Sequence, residues 1–191
     1  MPRVRVVHGS LTDGSESLLV NASNTNAALG SGVSGAIRAA CGRGYQEHIV
    51  EQMRARFGGP MEPGDVLVTG AGSHPRARWV AHVAVMDYRE GFTGTSFPSL
   101  ELVERASKKL WLAIEELPEP VTVAMVALGA GTGRLGVRDP TRIACDTLKA
   151  HLTARAGSRI EGITFYGWEI YEHMAIAEVV RAAFPDAIVE G

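Results

Sequence analysis

Residues 19–40, LVNASNTNAALGSGVSGAIRAA, carry an apolar run with a polar tip, then Gly30, Gly32 and Gly35 in the spacing G-x-G-x-x-G, then a helix-like stretch. Further along the chain, residues 121–140 read VTVAMVALGAGTGRLGVRDP and repeat the arrangement with Gly131, Gly133 and Gly136. Glycine allows positive φ and brings backbone N–H groups close to phosphate oxygens, while a helix N-terminus behind the loop adds unpaired donors and a partial positive charge. Two such loops predict opposing walls of one diphosphate site, with a nucleotide diphosphate as ligand.

Either pattern alone is weak, because glycine also serves as helix cap and tight turn and the chain has 22 of them. A dinucleotide site of the Rossmann type needs an acidic residue at the end of the next strand. After the first loop Glu51 falls inside a helical pattern, and after the second the next strand closes at Tyr166 and Gly167 without a carboxylate. The Walker pattern also fails, since Gly136 is followed by Val137 and not by lysine. Phosphate would therefore be held by backbone amides, with no metal and no cofactor expected.

With 191 residues, 46% hydrophobic and 21% charged, the chain suits a single domain over 1–191 with one substantial core. A net charge of −2 argues against bulk nucleic-acid binding. Cys41 and Cys145 sit in apolar helical contexts without a second ligand at metal spacing, which predicts buried, reduced thiols. The start, MPRVRVVH, has no apolar signal region and no segment approaches a membrane span, so the expectation is a cytoplasmic protein without a membrane partner. No motif sets an oligomeric state.

Periodicity and breakers predict strands at 4–7, 18–21, 65–70, 79–86, 121–128 and 163–166, with a short closing strand at 187–189. Helices are predicted at 33–41, 46–57, 100–117, 139–154 and 170–184, and 87–99 reads as a long, aromatic-bearing loop of the kind that forms lids. Alternation of apolar strands with helices indicates a parallel or mixed sheet covered on both faces.

The segment 19–40 resembles the signature of the macrodomain family, roughly V-N-A-A-N, a short spacer, G-G-G-V and a helix. Four other stretches agree in order: the entry around Gly9, the run from Gly64 to His82, the loop from Ala127 to Gly133, and the late strand ending at Tyr166. The resemblance implies an α/β fold, a three-layer α/β/α sandwich with a central mixed, roughly six-stranded sheet, and an ADP-ribose site above the strand ends. It also implies that Gly30, Ser31, Gly32, Val33 and Ser34 meet the phosphate and distal ribose, while Gly129, Ala130, Gly131, Thr132 and Gly133 close over the other side. Ser10 and Leu11 would lie at the adenine, Asn24 would bond the distal ribose, and Tyr166 would pack on the base with Trp168 as its neighbouring candidate. Asn24 and Ser34 fall on the catalytic positions of hydrolytic relatives.

The chain departs from the family pattern at three places. Ser10 stands where the family has an adenine-reading Asp, which leaves base selectivity open, with Asp13 nearby. Ser34 stands where hydrolytic relatives have an Asp near the attacking water, and serine without a partner is a poor general base. Gly133 and Arg134 stand where many relatives show an aromatic-glycine pair over the distal ribose, and Arg134 reads either as a diphosphate ligand or as a solvated surface side chain. His82 reads as a satisfied core histidine. Three functions stay open: hydrolysis of ADP-ribosyl esters, recognition of ADP-ribose without chemistry, and recognition of another nucleotide or of ADP-ribose 1″-phosphate.

Overall fold

A computed structural model describes all residues, Met1–Gly191. The expected strands and helices are present with ends shifted by a few residues. In chain order they are β1 (Arg3–His8), a 3-10 turn (Leu11–Asp13), β2 (Leu18–Asn24), α1 (Gly32–Cys41), α2 (Tyr45–Phe57), β3 (Val66–Gly70) and β4 (Trp79–Met86). Then come α3 (Leu100–Glu115), β5 (Val121–Met125), α4 (Arg138–Ala154), β6 (Ile160–Gly167), α5 (Ile170–Ala183) and β7 (Ile188–Glu190).

The strands form one sheet in the order β3-β4-β2-β5-β6-β1-β7, with β3 antiparallel and the others parallel. It has seven strands, the roughly six that the family resemblance implies and the short closing strand read at 187–189. The addition is β7, three residues that pair with Arg5–Val7 on the outer edge of β1. It is pinned there by Arg5, whose guanidinium donates to both carboxylate oxygens of Glu190.

Two apolar layers flank the sheet. On one face α3, α4 and α5 cover Val4, Val6, Val123 and Phe165, with Trp111 fully buried and its indole N–H donated to Thr147. On the other, α1, α2 and the 3-10 turn cover Leu19, Leu67, Val80 and Ala124. Central strands are apolar on both sides because both sides are covered, the usual signature of a parallel sheet between helix layers. Cys41 and Cys145 are buried and free, and burial pushes their thiols up to about 11 and about 12. No helix is long and apolar enough to cross a membrane.

The topology creates a crevice. After β2 the chain turns into α1 and α2 on one face and proceeds to β3 and β4, while after the adjacent β5 it turns into α4 on the other face and proceeds to β6. The carboxyl ends of β2 and β5 are thus a switch point, where loops diverge and leave a ligand-sized opening.

Candidate functional site

Both glycine loops leave from these two neighbouring strand ends. In the first, the N–H groups of Gly30, Ser31, Gly32, Val33 and Ser34 have no protein acceptor, and Ser31 starts α1 without a side-chain cap. In the second, the N–H groups of Gly131, Thr132 and Gly133 are likewise unpartnered, whereas that of Ala130 bonds Ala127. Gly30, Ser31, Gly32, Gly131 and Thr132 are exposed, so these donors face solvent. Two runs of free donors on opposing loops, one backed by a helix N-terminus, attract an extended anion.

The loops are held in shape from behind. A Cβ on Gly35 would lie 2.9 Å from the Gly30 carbonyl oxygen, so the first loop rests directly on α1. Gln46 of α2 clamps the same loop, accepting from Leu29 N and donating to the Ala27 carbonyl. The second loop folds onto itself, Leu135 N donating to the Gly129 carbonyl at 3.0 Å. The two non-glycine residues with positive φ, Ala27 and Arg134, lie one in each loop, a concentration of strain typical of binding segments.

Asn24 is buried, and its amide organises the loop: Oδ1 accepts from Asn26 N and Ala28 N, each at 3.1 Å, and Nδ2 donates to the Ala28 carbonyl at 2.9 Å. The expected ribose ligand is thus engaged as a turn staple, because an Asn side chain imitates the backbone it replaces. Ser34 is also buried and donates its hydroxyl proton inward to Asn21 Oδ1 at 2.9 Å. Asn21 in turn donates to His82 Nδ1, whose Nε2 lies 3.3 Å from Tyr45 Oη and Thr69 Oγ1. His82 is a satisfied core histidine, as its apolar strand suggested, and burial lowers its pKa to about 3.

Three further expected ligand residues have neighbours of their own within the protein. Leu11 is buried beneath α1, its side chain in the core. Ser10 caps the 3-10 turn, its hydroxyl accepting from Thr12 N and bonding Thr12 Oγ1 at 2.8 Å. Arg134 is exposed, and its guanidinium lies 4.2 Å over the Phe97 ring.

Tyr166 has a partner of its own. Its ring is largely buried, its hydroxyl donates to Glu16 Oε2 at 2.9 Å, and it lines the hollow at the ends of β6 and β1. Burial and then the Glu16 charge push its pKa far up. Glu16, only 3% exposed and 3.8 Å from Arg5, escaped sequence reasoning because it stands in a turn-rich link with no motif around it. Trp168, 67% exposed, is the aromatic left free at the end of β6. Its carbonyl accepts from His8 Nε2 at 3.0 Å, and His8, Gly9, Ser10, Asp13 and Arg76 line a hollow of about 520 Å³ beside it.

The carboxyl ends of β2, β5, β6 and β1 lie in a row, so the hollow stands about two strand spacings, roughly 10 Å, from the phosphate-attracting crevice. That is the reach of a nucleoside. The arrangement offers a diphosphate cradle in the middle and a rimmed, polar hollow with a free indole at one end.

A family model for the macro domain matches residues 20–144. A macro domain-containing protein from Streptomyces griseus is 28% identical, over 94% of this chain and 95% of its own length. An O-acetyl-ADP-ribose deacetylase from Citrobacter rodentium is 35% identical over 89 residues, 47% of this chain and 49% of that protein. Among solved structures, a variant of the Oceanobacillus iheyensis macrodomain with ADPR superposes with a TM-score of 0.77 at 18% identity, covering 95% of this chain and 93% of that one.

Proposed function

The chain belongs to the macro domain family, and from that footing we propose that residues 1–191 act as one domain whose crevice binds ADP-ribose. The observation that carries this is the pair of facing donor runs, Gly30 to Ser34 and Gly131 to Gly133. The diphosphate lies between them, held by backbone N–H groups and the positive end of α1, without metal or lysine. The base lies in the hollow over β6 and β1 against Trp168, and the distal ribose lies toward β2 and β4.

Base identity is read weakly. The Ser10 hydroxyl is engaged in its own turn and His8 Nε2 with the Trp168 carbonyl, and Asp13, Ser15, Arg76 and Tyr166 complete the polar lining around the base.

Hydrolysis of ADP-ribosyl esters, O-acetyl-ADP-ribose or ADP-ribosylated acidic side chains, is the second reading, favoured by the deacetylase relative. Water would attack the ester carbonyl, the bond from carbonyl carbon to ribose oxygen would break, and acid and ADP-ribose would leave. The Ser34 hydroxyl proton points away from the crevice, so this oxygen can accept a bond from water but is a poor base. The positioning of water falls to the substrate's own phosphate oxygens. Buried free thiols fit a cytoplasmic setting.

Calorimetric titration with ADP-ribose, ADP and AMP tests the reading. Saturable binding of ADP-ribose and ADP, with AMP much weaker, is expected from a cradle built for a diphosphate. Equal affinity for AMP and ADP, or no binding of any of them, would overturn it. Release of acetate from O-acetyl-ADP-ribose above the buffer rate decides the second reading.

A further inference from the structure

The loop 87–99, between β4 and α3, is fixed to both walls of the crevice. Tyr88 N donates to Thr25 Oγ1 at 2.8 Å and its carbonyl accepts from Asn26 Nδ2 at 2.9 Å, tying the loop to the first glycine loop. At its other end Phe97 lies under the Arg134 guanidinium, and Pro98 stands 3.0 Å from where a Cβ on Gly129 would be, tying it to the second. Within the loop, buried Ser96 accepts from Thr93 N and its carbonyl accepts from Asp87 N, while Arg89 is paired with Asp87 and Glu62. The loop is a fixed wall.

On this wall Phe92 is 61% exposed, yet held by ring contacts: Tyr88 at 5.8 Å between centroids and Phe97 edge-on at 5.5 Å. Arg134 already occupies the Phe97 ring, so the unoccupied aromatic surface is that of Phe92 and Tyr88. Nearby charge is mixed, Asp87 and Glu62 being paired with Arg89, and Arg134 lying on the adjoining Phe97 ring.

Sheet order places this wall. Along the carboxyl ends the sequence is β4, β2, β5, β6, β1, so the loop leaving β4 stands opposite the base hollow. Resting on the proposed ADP-ribose site, we infer that Phe92, backed by Tyr88, is the contact for a flat nitrogen heterocycle carried on the anomeric carbon of the distal ribose. An exposed aromatic ring face suits a planar, electron-poor ring, and base-to-aromatic stacking is strong enough to select for one.

The probe is NAD⁺, which carries a nicotinamide ring on that carbon, titrated beside ADP-ribose into the wild type, Phe92→Ala and Phe92→Tyr. Phe92→Ala weakens NAD⁺ about tenfold and ADP-ribose less than about twofold, while Phe92→Tyr keeps the wild-type affinity for both. Equal weakening of both ligands in Phe92→Ala, no change for either, or no binding of NAD⁺ by a wild type that binds ADP-ribose overturns this inference alone. Failure of ADP-ribose itself to bind overturns the proposed function along with it.

Discussion

Asn21 Nδ2 stands 3.1 Å from His82 Nδ1, both side chains completely buried. The contact sets the direction of a chain of hydrogen bonds. The Tyr45 and Thr69 hydroxyls donate to the Gly70 carbonyl, so His82 Nε2 carries the proton that faces them and Nδ1 accepts from Asn21. Asn21 Oδ1 is then free to accept from Ser34.

A neutral, buried His82 makes the fold acid-sensitive. Its pKa is about 3 when folded against 6.5 ordinarily, so between those values the unfolded chain binds a proton that the folded one refuses. Stability is therefore lost as pH falls from about 6.5, with a slope approaching about 1.4 kcal/mol per pH unit from this ring. Urea unfolding at pH 7, 6 and 5 should show the decline, and His82→Gln should flatten it. A wild-type profile level down to pH 5 would contradict the assignment. Glu115 acts later: burial raises its pKa, but bonds from Ser158, His151 and Arg159 N outweigh that and hold it below 4.5. Its contribution is lost only in that more acidic range.

The same chain can run backwards. A Ser34→Asp variant brings a carboxylate to Asn21 Oδ1, and repulsion is relieved if the Asn21 amide turns over, His82 moves its proton to Nδ1, and Tyr45 donates to Nε2. Nitrogen-15 NMR of the ring should report the Nε2–H tautomer in the wild type and Nδ1–H in Ser34→Asp. An unchanged tautomer together with a large loss of stability would show that the network has one direction only.

Tyr166→Phe removes the hydroxyl that satisfies buried Glu16, leaving Arg5 at 3.8 Å as the remaining partner. A loss of about 1–3 kcal/mol in unfolding free energy is expected, with affinity for ADP-ribose little changed. Trp168→Ala should do the reverse, weakening ADP-ribose about tenfold at unchanged stability. A Tyr166→Leu variant that loses ADP-ribose affinity while Trp168→Ala binds normally would return the base to the Tyr166 ring.

Why the sequence spoke clearly on the fold and less so on the site follows from these residues. Strand and helix positions came from apolar periodicity, which reports burial directly, and the glycine spacing marked both loops because backbone contact there tolerates few alternatives. The direction of a polar side chain leaves no such trace. Asn24 reads identically whether its amide meets a ribose or the Ala28 backbone, and Tyr166 identically whether its ring lies under a base or its hydroxyl meets Glu16. Pairings such as Arg134 with Phe97 or Asn21 with His82 join residues far apart in the chain and appear only once the sheet is assembled. The edge strand β7 was foreseeable as a short apolar run; its place beside β1 was not.

Asn24→Ala should injure the first loop before it injures any contact with ligand. Three hydrogen bonds to Asn26 and Ala28 disappear, and a drop of about 1–2 kcal/mol in stability is expected along with weaker ADP-ribose binding. Asn24→Asp keeps the two acceptor bonds and should recover most of the stability. If Asn24→Ala unfolds like the wild type yet no longer binds, the amide serves the ligand and not the loop.

Two glycines in the second loop separate folding from recognition. A Cβ on Gly133 would meet the Gly129 backbone, its Cα within 2.7 Å, so Gly133→Ala must open the loop and should cost about 1–3 kcal/mol of stability as well as binding. A Cβ on Gly131 meets nothing within 4 Å and its φ is not positive, so Gly131→Ala should fold as the wild type does. Its N–H group is nevertheless one of the free donors, and a methyl group beside it stands where a phosphate oxygen would approach. Gly131→Ala should accordingly keep its melting temperature and lose about tenfold or more in affinity for ADP-ribose and for ADP alike. Unimpaired binding by a folded Gly131→Ala would mean that the diphosphate does not lie against this loop, and the cradle would have to be rebuilt from the N-terminus of α1 alone.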